Sequence, residues 1–263
     1  MKEILISSAR GTKIPVLLEE GSGYRGLLLM AHSFRSEKEE NGRYSEIAQR
    51  MAEKGFLCAA PDFPGNGKSE EPFSSYSLRA CLDDLEAVYA YLKEHYEYDR
   101  NNCCLLGYSM GGRIISLFLE RHKEFSKLVF WASVLEHYDL KSRFLEQDLS
   151  SLKKECDEKG YCDFYDIFEE ETIRMSKDFI DDLLDRDAQS PLYDFKGSAL
   201  IVQGEKDTTI DINNAKLIES CLKQASSVRL KYLPEADHGF GLWDGRKEDE
   251  RILLKETLSF LEQ

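Results

Sequence analysis

Gly107-Tyr108-Ser109-Met110-Gly111-Gly112 is the stretch of this 263-residue sequence that decides the fold. An apolar run at 103–106 precedes this G-x-S-x-G segment, and apolar residues at helical spacing follow it at 114–118. That order predicts a strand, a sharp turn and a helix, with a serine exposed at the turn. A chain of this length contains the bare motif by chance about one time in ten. The alternative is a glycine-rich turn after a buried strand, so a nucleophilic role for Ser109 needs support from the rest of the chain.

Short apolar runs alternate with amphipathic segments along most of the sequence. Continuous apolar runs are typical of parallel strands that are buried on both faces. A pair of antiparallel strands is predicted within residues 3–19, before the alternation begins. Strand–helix alternation with right-handed crossovers predicts an α/β fold with a mainly parallel, doubly wound sheet. The predicted strands of that sheet are residues 27–31, 56–60, 103–106, 128–132, 199–203 and 228–233.

The alternation stops between residues 136 and 190, where charges are dense and aromatic residues intervene. Apolar residues at 145, 149, 152 and 156 indicate one short helix, whereas residues 161–168 fit either a helix or a strand. Because this stretch lies between two predicted core strands, we expect a cap or lid over the carboxyl edge of the sheet. The alternative is a peripheral helical layer that does not touch substrate. The predicted organisation is a core of residues 1–135 and 191–263 with a small cap insertion at 136–190.

Charge and cysteine content restrict the partners and the setting. A formal net charge of −14 argues against nucleic acid or an anionic membrane as partner. No apolar run approaches the roughly 20 residues that a membrane-spanning helix needs. Seven cysteines, an odd number, and an N-terminus without a signal-peptide pattern favour a reduced, cytoplasmic setting. Carboxylate runs at 169–171 and 181–182 lack accompanying histidines, so neither a metal nor a cofactor is expected. The oligomeric state stays open, a homodimer included.

The residues that would activate Ser109 follow later predicted strands. A serine hydroxyl needs a base within hydrogen-bond reach, and the base needs a carboxylate that fixes its tautomer. On an α/β sheet these partners follow the serine in the order acid, then histidine. Asp207 comes after the run at 199–203, and His238 comes after the run at 228–233. Each could instead be an ordinary loop residue, and Glu205 and Asp211 are rival carboxylates. We predict that Ser109, Asp207 and His238 are catalytic.

The oxyanion of an acyl-transfer reaction needs about two preorganised N–H donors. One is expected from Met110, which follows the serine and begins a helix whose N-terminus favours negative charge. The other is expected from the loop His32-Ser33-Phe34 after the strand at 27–31, where His32 is expected to structure the loop. Tyr108 and Trp243 are candidate substrate-binding residues, although buried aromatic residues are as often part of the core.

These motifs together resemble those of the α/β-hydrolase superfamily, in its serine-esterase branch. His32-Ser33-Phe34 is similar to the His-Gly-Phe oxyanion loop, and residues 62–69 are similar to the Asp-x-x-Gly-x-Gly-x-Ser loop. The resemblance covers nearly the whole chain except residues 136–190. It implies the α/β-hydrolase fold and the backbone N–H of Phe34 as the second oxyanion donor. Ser33 stands where the family usually has glycine, so a positive φ there would strain Ser33 and redirect the Phe34 N–H or the Ser33 hydroxyl.

Within that superfamily the chain most resembles the cinnamoyl and feruloyl esterases and the hydrolases related to monoacylglycerol lipase. The resemblance implies a cofactor-independent carboxylesterase that acts on a small-molecule ester, with an aromatic acid or a short acyl chain. Serine peptidases, thioesterases and carbon–carbon hydrolases use the same three residues and remain alternatives. A ligand-binding protein with little turnover is a further alternative.

Overall fold

The computed structural model describes residues 1–23, 25–136, 149–166 and 170–263 of the chain. Within these described residues, ten strands form one eight-stranded sheet, in the order β1-β2-β4-β3-β5-β6-β9-β10, and a separate two-stranded sheet, β7-β8. The strands are β1 (Lys2–Ser7), β2 (Lys13–Glu20), β3 (Gly26–Ala31), β4 (Phe56–Pro61), β5 (Cys103–Tyr108), β6 (Phe125–Trp131), β7 (Tyr161–Asp166), β8 (Glu171–Ser176), β9 (Ser198–Gly204) and β10 (Ser227–Leu233).

The large sheet is parallel from β4 to β10 and antiparallel at its N-terminal edge. β3 pairs in parallel with both β4 and β5, and β6, β9 and β10 continue the parallel part. β1 and β2 form the antiparallel pair expected within residues 3–19, and β2 then pairs antiparallel with β4. The prediction of a mainly parallel, doubly wound α/β sheet is confirmed.

Helices cover both faces of this sheet, so its central strands are buried throughout. In β3, Leu27 and Leu29 belong to one apolar cluster, and Leu28 and Met30 belong to the cluster on the opposite face. This alternation is the period of two that a β-strand imposes on its side chains. The helices are α1 (Arg43–Glu53), α2 (Leu78–His95), α3 (Met110–Phe118), α4 (Leu149–Lys159), α5 (Lys177–Asp185), α6 (Ser190–Tyr193), α7 (Asn213–Cys221) and α8 (Lys247–Leu261).

The described part of the segment 136–190 contains α4, the hairpin of β7 and β8, and α5. The expected short helix is present from Leu149, and Leu145 lies outside the described residues. Residues 161–166, which fitted either a helix or a strand, form β7, and 167–168 lie outside the described residues. β7 pairs antiparallel with β8 and does not join the large sheet.

Arg113 anchors this segment to the helix that follows Ser109. Its guanidinium is buried in α3 and donates to the carbonyl oxygens of Leu135, Leu183 (2.9 Å) and Arg186 (2.7 Å). Leu183 and Arg186 lie at the C-terminal end of α5, where backbone carbonyls lack N–H donors within the helix and favour a cation. Burial lowers the pKa of Arg113 to about 10. The end of α5 is therefore held at a fixed place beside α3.

The cysteines and the helix lengths bear on the reducing setting and on the lack of a membrane span that the sequence predicts. All seven cysteines are buried and carry free thiols. Within the ranges that the structure describes, no helix has both the length and the apolar composition to cross a membrane.

Candidate active site

Ser109 lies at the turn between β5 and α3, at the carboxyl edge of the sheet. Its backbone has φ 53° and ψ −115°, a conformation that residues with a Cβ adopt at a cost. Its N–H donates to the carbonyl of Trp131 at 2.8 Å, and its carbonyl accepts from the N–H of Gly112 at 3.1 Å. These bonds hold the turn in the strained form that projects the serine side chain away from the strand.

Glycine is required where α3 approaches the sheet. A Cβ added to Gly111 would lie 2.0 Å from the carbonyl oxygen of Ala31, and one added to Gly112 would lie 2.0 Å from Ser133 Oγ. Both distances are far below van der Waals contact. The two glycines therefore allow the first turn of the helix to pack directly against neighbouring strands.

The structure brings the three predicted catalytic side chains together in the expected order. Ser109 Oγ lies 3.1 Å from Nε2 of His238, and Nδ1 of His238 lies 2.8 Å from Oδ2 of Asp207. The side chain of Asp207 is fully buried and that of His238 nearly so. With Nδ1–H donated to the carboxylate, Nε2 is an acceptor and can receive the serine proton.

Asp207 is held by three further donors besides His238. Oδ1 accepts the backbone N–H groups of Thr209 and Ile210, both at 2.8 Å, and Oδ2 accepts from Nε2 of Gln203 at 2.9 Å. Gln203 was not among the predicted site residues. Its signal in the sequence is a polar residue at the end of an otherwise apolar strand, where both faces of the sheet are buried.

The rival carboxylates lie elsewhere. Glu205 is exposed, and Oδ1 of Asp211 accepts the backbone N–H of Asn213 at 2.8 Å, next to the start of α7. Neither forms the contact with His238 that Asp207 forms.

Tyr108 and Trp243 both line the cavity at Ser109, and both contact His238. The Tyr108 hydroxyl donates to the His238 carbonyl at 2.7 Å, and burial raises the pKa of this phenol well above its usual value. The Trp243 ring lies 5.8 Å from the His238 ring and is half exposed. Tyr108 therefore holds the loop that carries His238, whereas Trp243 lies at the mouth of the cavity.

His32 fixes the loop that is expected to supply an oxyanion donor. Its Nε2 accepts the N–H of Phe63 at 3.1 Å, so the proton is on Nδ1, which donates to the Ser33 carbonyl at 2.7 Å. Burial lowers the pKa of His32 to about 4, and the ring is neutral near pH 7. The two predicted oxyanion donors, Phe34 and Met110, both line the cavity beside Ser109.

Ser33 does not have a positive φ, so the strain that such a backbone would impose there does not arise. Positive φ occurs instead at Arg35, two residues later, with φ 58°. The Ser33 N–H donates to Oε2 of the buried Glu40 at 2.8 Å, and its hydroxyl donates to Oε1 at 3.2 Å. Ser33 thus takes the place of the family's glycine without a left-handed backbone, and its hydroxyl is directed to Glu40.

A cavity of about 580 Å³ opens at Ser109. Arg35 on its wall forms ion pairs with Asp166 (3.0 Å) of β7 and with Glu171. The Phe34 ring stacks on Phe179 of α5, with ring centroids 5.6 Å apart. The apolar part of the wall is formed by Phe34, Met110, Val134, Ile210, Leu242 and Trp243.

Two other features of the described residues bear on where chemistry can occur. A wide surface depression of about 700 Å³ lies on residues 93–100 and contains none of Ser109, Asp207 and His238. No group of three or more histidine, cysteine, aspartate and glutamate side chains within the described ranges is placed to hold a metal ion.

Comparison with known proteins places this chain among hydrolases. Residues 24–156 match the model of the Hydrolase_4 family, which is described as serine aminopeptidase, S33. The chain is 24% identical over 233 residues to the AB hydrolase superfamily protein YisY of Bacillus subtilis, a match that covers 78% of this chain and 82% of YisY.

Similar solved structures include several esterases and one peptidase. Est1E from Butyrivibrio proteoclasticus, with ferulic acid bound, has a TM-score of 0.78 at 16% identity and covers 99% of this chain and all of its own. The esterase EaEST from Exiguobacterium antarcticum has a TM-score of 0.66 at 21% identity, with complete coverage of both chains. The acylaminoacyl peptidase of Pyrococcus horikoshii has a TM-score of 0.72 at 15% identity, and the match covers 99% of this chain and 41% of the peptidase. At these identities the likeness is one of fold.

Proposed function

Because the chain belongs to the Hydrolase_4 family of α/β hydrolases, we propose that it is a serine hydrolase that cleaves carboxylic esters through an acyl-enzyme on Ser109. The observation that carries the proposal is the continuous set of contacts from Asp207 through His238 to Ser109, at 2.8 and 3.1 Å, beside a cavity. A hydroxyl, a base and an orienting carboxylate in this order are what nucleophilic catalysis by serine requires.

The first half of the reaction forms the acyl-enzyme. Ser109 Oγ attacks the ester carbonyl while its proton passes to Nε2 of His238, and Asp207 stabilises the resulting imidazolium through Nδ1–H. The negative charge that develops on the carbonyl oxygen is held by the backbone N–H groups of Met110 and Phe34. Collapse of the tetrahedral intermediate breaks the bond to the alcohol oxygen, which takes the proton from Nε2.

The second half releases the acid. Water replaces the alcohol, His238 Nε2 takes one of its protons, and the hydroxide oxygen attacks the acyl carbon. The same oxyanion donors serve the second intermediate, which breaks its bond to Ser109 Oγ as Nε2 returns the proton to the serine. The products are a carboxylic acid and an alcohol, and no cofactor takes part.

For the substrate we propose esters of aromatic acids of the cinnamoyl or feruloyl type, or of short acyl chains. Support comes from the apolar wall of the cavity, with Phe34 and Trp243, and from the fold shared with an esterase that binds ferulic acid. Residues 136–190 serve as the cap of this site in the proposal, because Asp166 lines the cavity and Phe179 stacks behind Phe34. We propose a cytoplasmic location, since seven free thiols persist in a reducing compartment.

Amide hydrolysis is the alternative with the most support. The family model is described as a serine aminopeptidase, and a structural neighbour is an acylaminoacyl peptidase. Parallel assays of ester, thioester and aminoacyl-amide substrates separate these activities. The ester is expected to have the highest kcat/KM, and a higher value for the amide would replace the ester proposal with a peptidase.

The test of the nucleophile is the Ser109→Ala variant. Alanine keeps the Cβ at φ 53°, so the backbone strain and the fold are retained. We expect kcat on methyl ferulate or p-nitrophenyl acetate to fall at least about 10⁴-fold, as when a catalytic serine is removed elsewhere. The matched control is Ser220→Ala on the exposed face of α7, which should keep wild-type turnover.

Labelling with a fluorophosphonate separates an enzyme from a binding protein. The wild-type chain should be labelled at Ser109 and the Ser109→Ala variant should not. A folded Ser109→Ala variant with full turnover would show that another group is the nucleophile. A folded wild-type chain without labelling or turnover would favour ligand binding.

A further inference from the structure

A turn of unusual backbone conformation lies between the oxyanion loop and α1. Glu40, Asn41 and Gly42 have φ values of 46°, 55° and 87°, so three consecutive residues are left-handed. Residues other than glycine adopt this backbone conformation only when the surrounding structure fixes it. Arg43, the first residue of α1, follows at once. We call residues 40–43 the α1 turn.

Glu40 binds the α1 turn to the oxyanion loop. Its carboxylate is buried in the wall of the cavity and accepts from three groups. Oε2 accepts the Ser33 N–H at 2.8 Å, and Oε1 accepts the hydroxyls of Ser36 at 2.8 Å and Ser33 at 3.2 Å. Such bonds favour the ionised carboxylate, although burial outweighs them and raises the pKa of Glu40 above its usual value.

The contact with Ser33 controls the direction of the neighbouring peptide group. The Ser33 carbonyl accepts from Nδ1 of His32 at 2.7 Å and from the Ser36 N–H at 3.3 Å. This carbonyl and the Phe34 N–H belong to one planar, trans peptide unit, so fixing the oxygen fixes the N–H on the opposite side. Glu40 holds the peptide unit on the other side of Ser33, and the two together set the orientation of the Phe34 N–H.

Arg43 binds the same turn to the loop of the base. Its guanidinium is buried, and Nη2 donates to the carbonyl of Gly239 at 2.6 Å and to that of Phe240 at 3.4 Å. Nε donates to Glu250 of α8 at 3.0 Å. Gly239 directly follows His238, so Arg43 fixes the backbone that carries the imidazole.

We propose that Glu40 and Arg43 are positioning residues, which align the Phe34 N–H and the imidazole of His238 with the same substrate carbonyl. Neither needs to touch the reacting atoms. One short turn holds two loops that lie about 200 positions apart in the chain, so the distance between oxyanion donor and base depends on it. The inference rests on the proposed ester hydrolysis, because it assigns roles within that reaction.

The test separates alignment from stability. Glu40→Ala removes the acceptor of the Ser33 N–H, and kcat should fall about 10–100-fold, less than the roughly 10²–10³-fold cost of losing one oxyanion donor outright. KM should change less than about threefold, since the ground-state carbonyl gains little from a good oxyanion donor. Affinity for an alkyl boronic acid, which forms a tetrahedral anion on Ser109, should weaken by the same factor as kcat.

Conservative variants distinguish the role of the acceptor from that of the charge. Glu40→Gln keeps an oxygen that can accept from Ser33 and should retain kcat within about fivefold. Glu40→Asp keeps the charge but draws the carboxylate back from Ser33, so it should lose more kcat than Glu40→Gln. The matched control is Glu46→Ala on the exposed face of α1, which should keep wild-type kcat and boronate affinity. If Glu40→Ala does not fold, the order of these two variants decides the question.

Arg43→Lys tests the second contact of the turn. Lysine keeps the positive charge but has one nitrogen in place of a planar fork, so it cannot bind Glu250 and both carbonyls together. We expect kcat to fall with KM nearly unchanged, and fluorophosphonate labelling of Ser109 to slow in proportion.

Two failures can be told apart. A wild-type chain without ester turnover overturns the proposed function and this inference with it. A wild-type chain with turnover that Ser109→Ala abolishes, combined with a folded Glu40→Ala variant of wild-type kcat and boronate affinity, overturns the inference alone. A loss of kcat in Glu40→Ala with unchanged boronate affinity also overturns it.

Discussion

The carboxyl edge of the large sheet and the described part of the insertion are held together in different ways. At the edge, Asp207 is buried and accepts four hydrogen bonds, each from a group of fixed direction. In the insertion, exposed pairs such as Lys177–Asp157 and Arg174–Asp163 join different elements. Exposed pairs contribute little stability, whereas a buried and fully bonded carboxylate defines one geometry. We infer from this difference that the core carries the proposed chemistry, whereas the insertion adjusts the wall of the cavity through Asp166.

Few side chains of the insertion contribute to the cavity. Among its described residues, Asp166 lines the wall, where it binds Arg35, and Phe179 stacks behind Phe34. A change at the edge of the sheet should therefore affect kcat, and a change in the insertion should affect KM and the choice of substrate. Variants at the edge of the sheet and in the insertion would test this difference between effects on kcat and effects on KM.

The largest effect is expected at Asp207. Asp207→Asn removes the negative charge that fixes the tautomer of His238, and kcat should fall about 10⁴-fold, as in serine proteases. KM should change little, which steady-state kinetics on a p-nitrophenyl ester would measure. The matched control is Asp211→Asn, the rival carboxylate, with wild-type kcat expected. Equal losses in the two variants would contradict the assignment of the acid.

A smaller effect concerns His32 and acid stability. Burial lowers its pKa to about 4, below the value of about 6.5 in the unfolded chain. The unfolded state therefore binds the extra proton first, and stability falls as pH drops from 6.5 towards 4. At pH 4.5 the loss amounts to about 2–3 kcal/mol. Urea unfolding at pH 7 and pH 4.5 would measure it.

The comparison variant for that experiment is His32→Gln, which has no ionisable ring at this position. Asp84, whose pKa burial raises to about 6, gives stability the opposite slope, so only the difference between wild type and variant is diagnostic. The variant should lose less free energy of unfolding than the wild type over the same interval. Parallel losses would mean that His32 is not buried in the neutral form.

The smallest effect is expected in the insertion. Asp166→Asn removes one of the two carboxylates that hold Arg35 and alters the cavity wall. We expect the ratio of kcat/KM for aromatic and short acyl esters to change about two- to tenfold, at or below the lower end of the roughly 10–200-fold that one methylene in a pocket supplies, with kcat nearly unchanged. The control is Asp163→Asn, an exposed position on the same strand that pairs with Arg174. A loss of kcat comparable to that of Asp207→Asn would show that the insertion contributes to catalysis as much as the core does.

The sequence predicted the core well because its central strands β3, β4 and β5 are buried on both faces. All six predicted runs overlap strands of the large sheet, and the loops after two of them bring Asp207 and His238 to Ser109. A run of apolar residues carries its own evidence of burial. Loops at the carboxyl edge then converge as a consequence of the parallel order of the strands.

The features that the sequence did not predict depend on contacts between residues far apart in the chain. β7 was ambiguous because its inward positions include Asp166, a carboxylate buried against Arg35, which breaks the apolar alternation. Glu40 and Arg43 were not among the predicted site residues, since their partners lie in other loops. Gln203 was missed for the same reason. Polar residues that are buried by a partner elsewhere in the chain leave no periodic pattern.

Gly111 and Gly112 have a structural role in the motif of residues 107–112 that does not depend on Ser109. Both are required because a Cβ at either position would lie 2.0 Å from an atom of Ala31 or Ser133, whatever side chain stands at position 109. Descendants of this chain that lose catalysis would remain under selection for the glycines as long as they fold. The two glycines in a relative therefore indicate that the architecture is kept, and only the residue at position 109 indicates whether a nucleophile is still present.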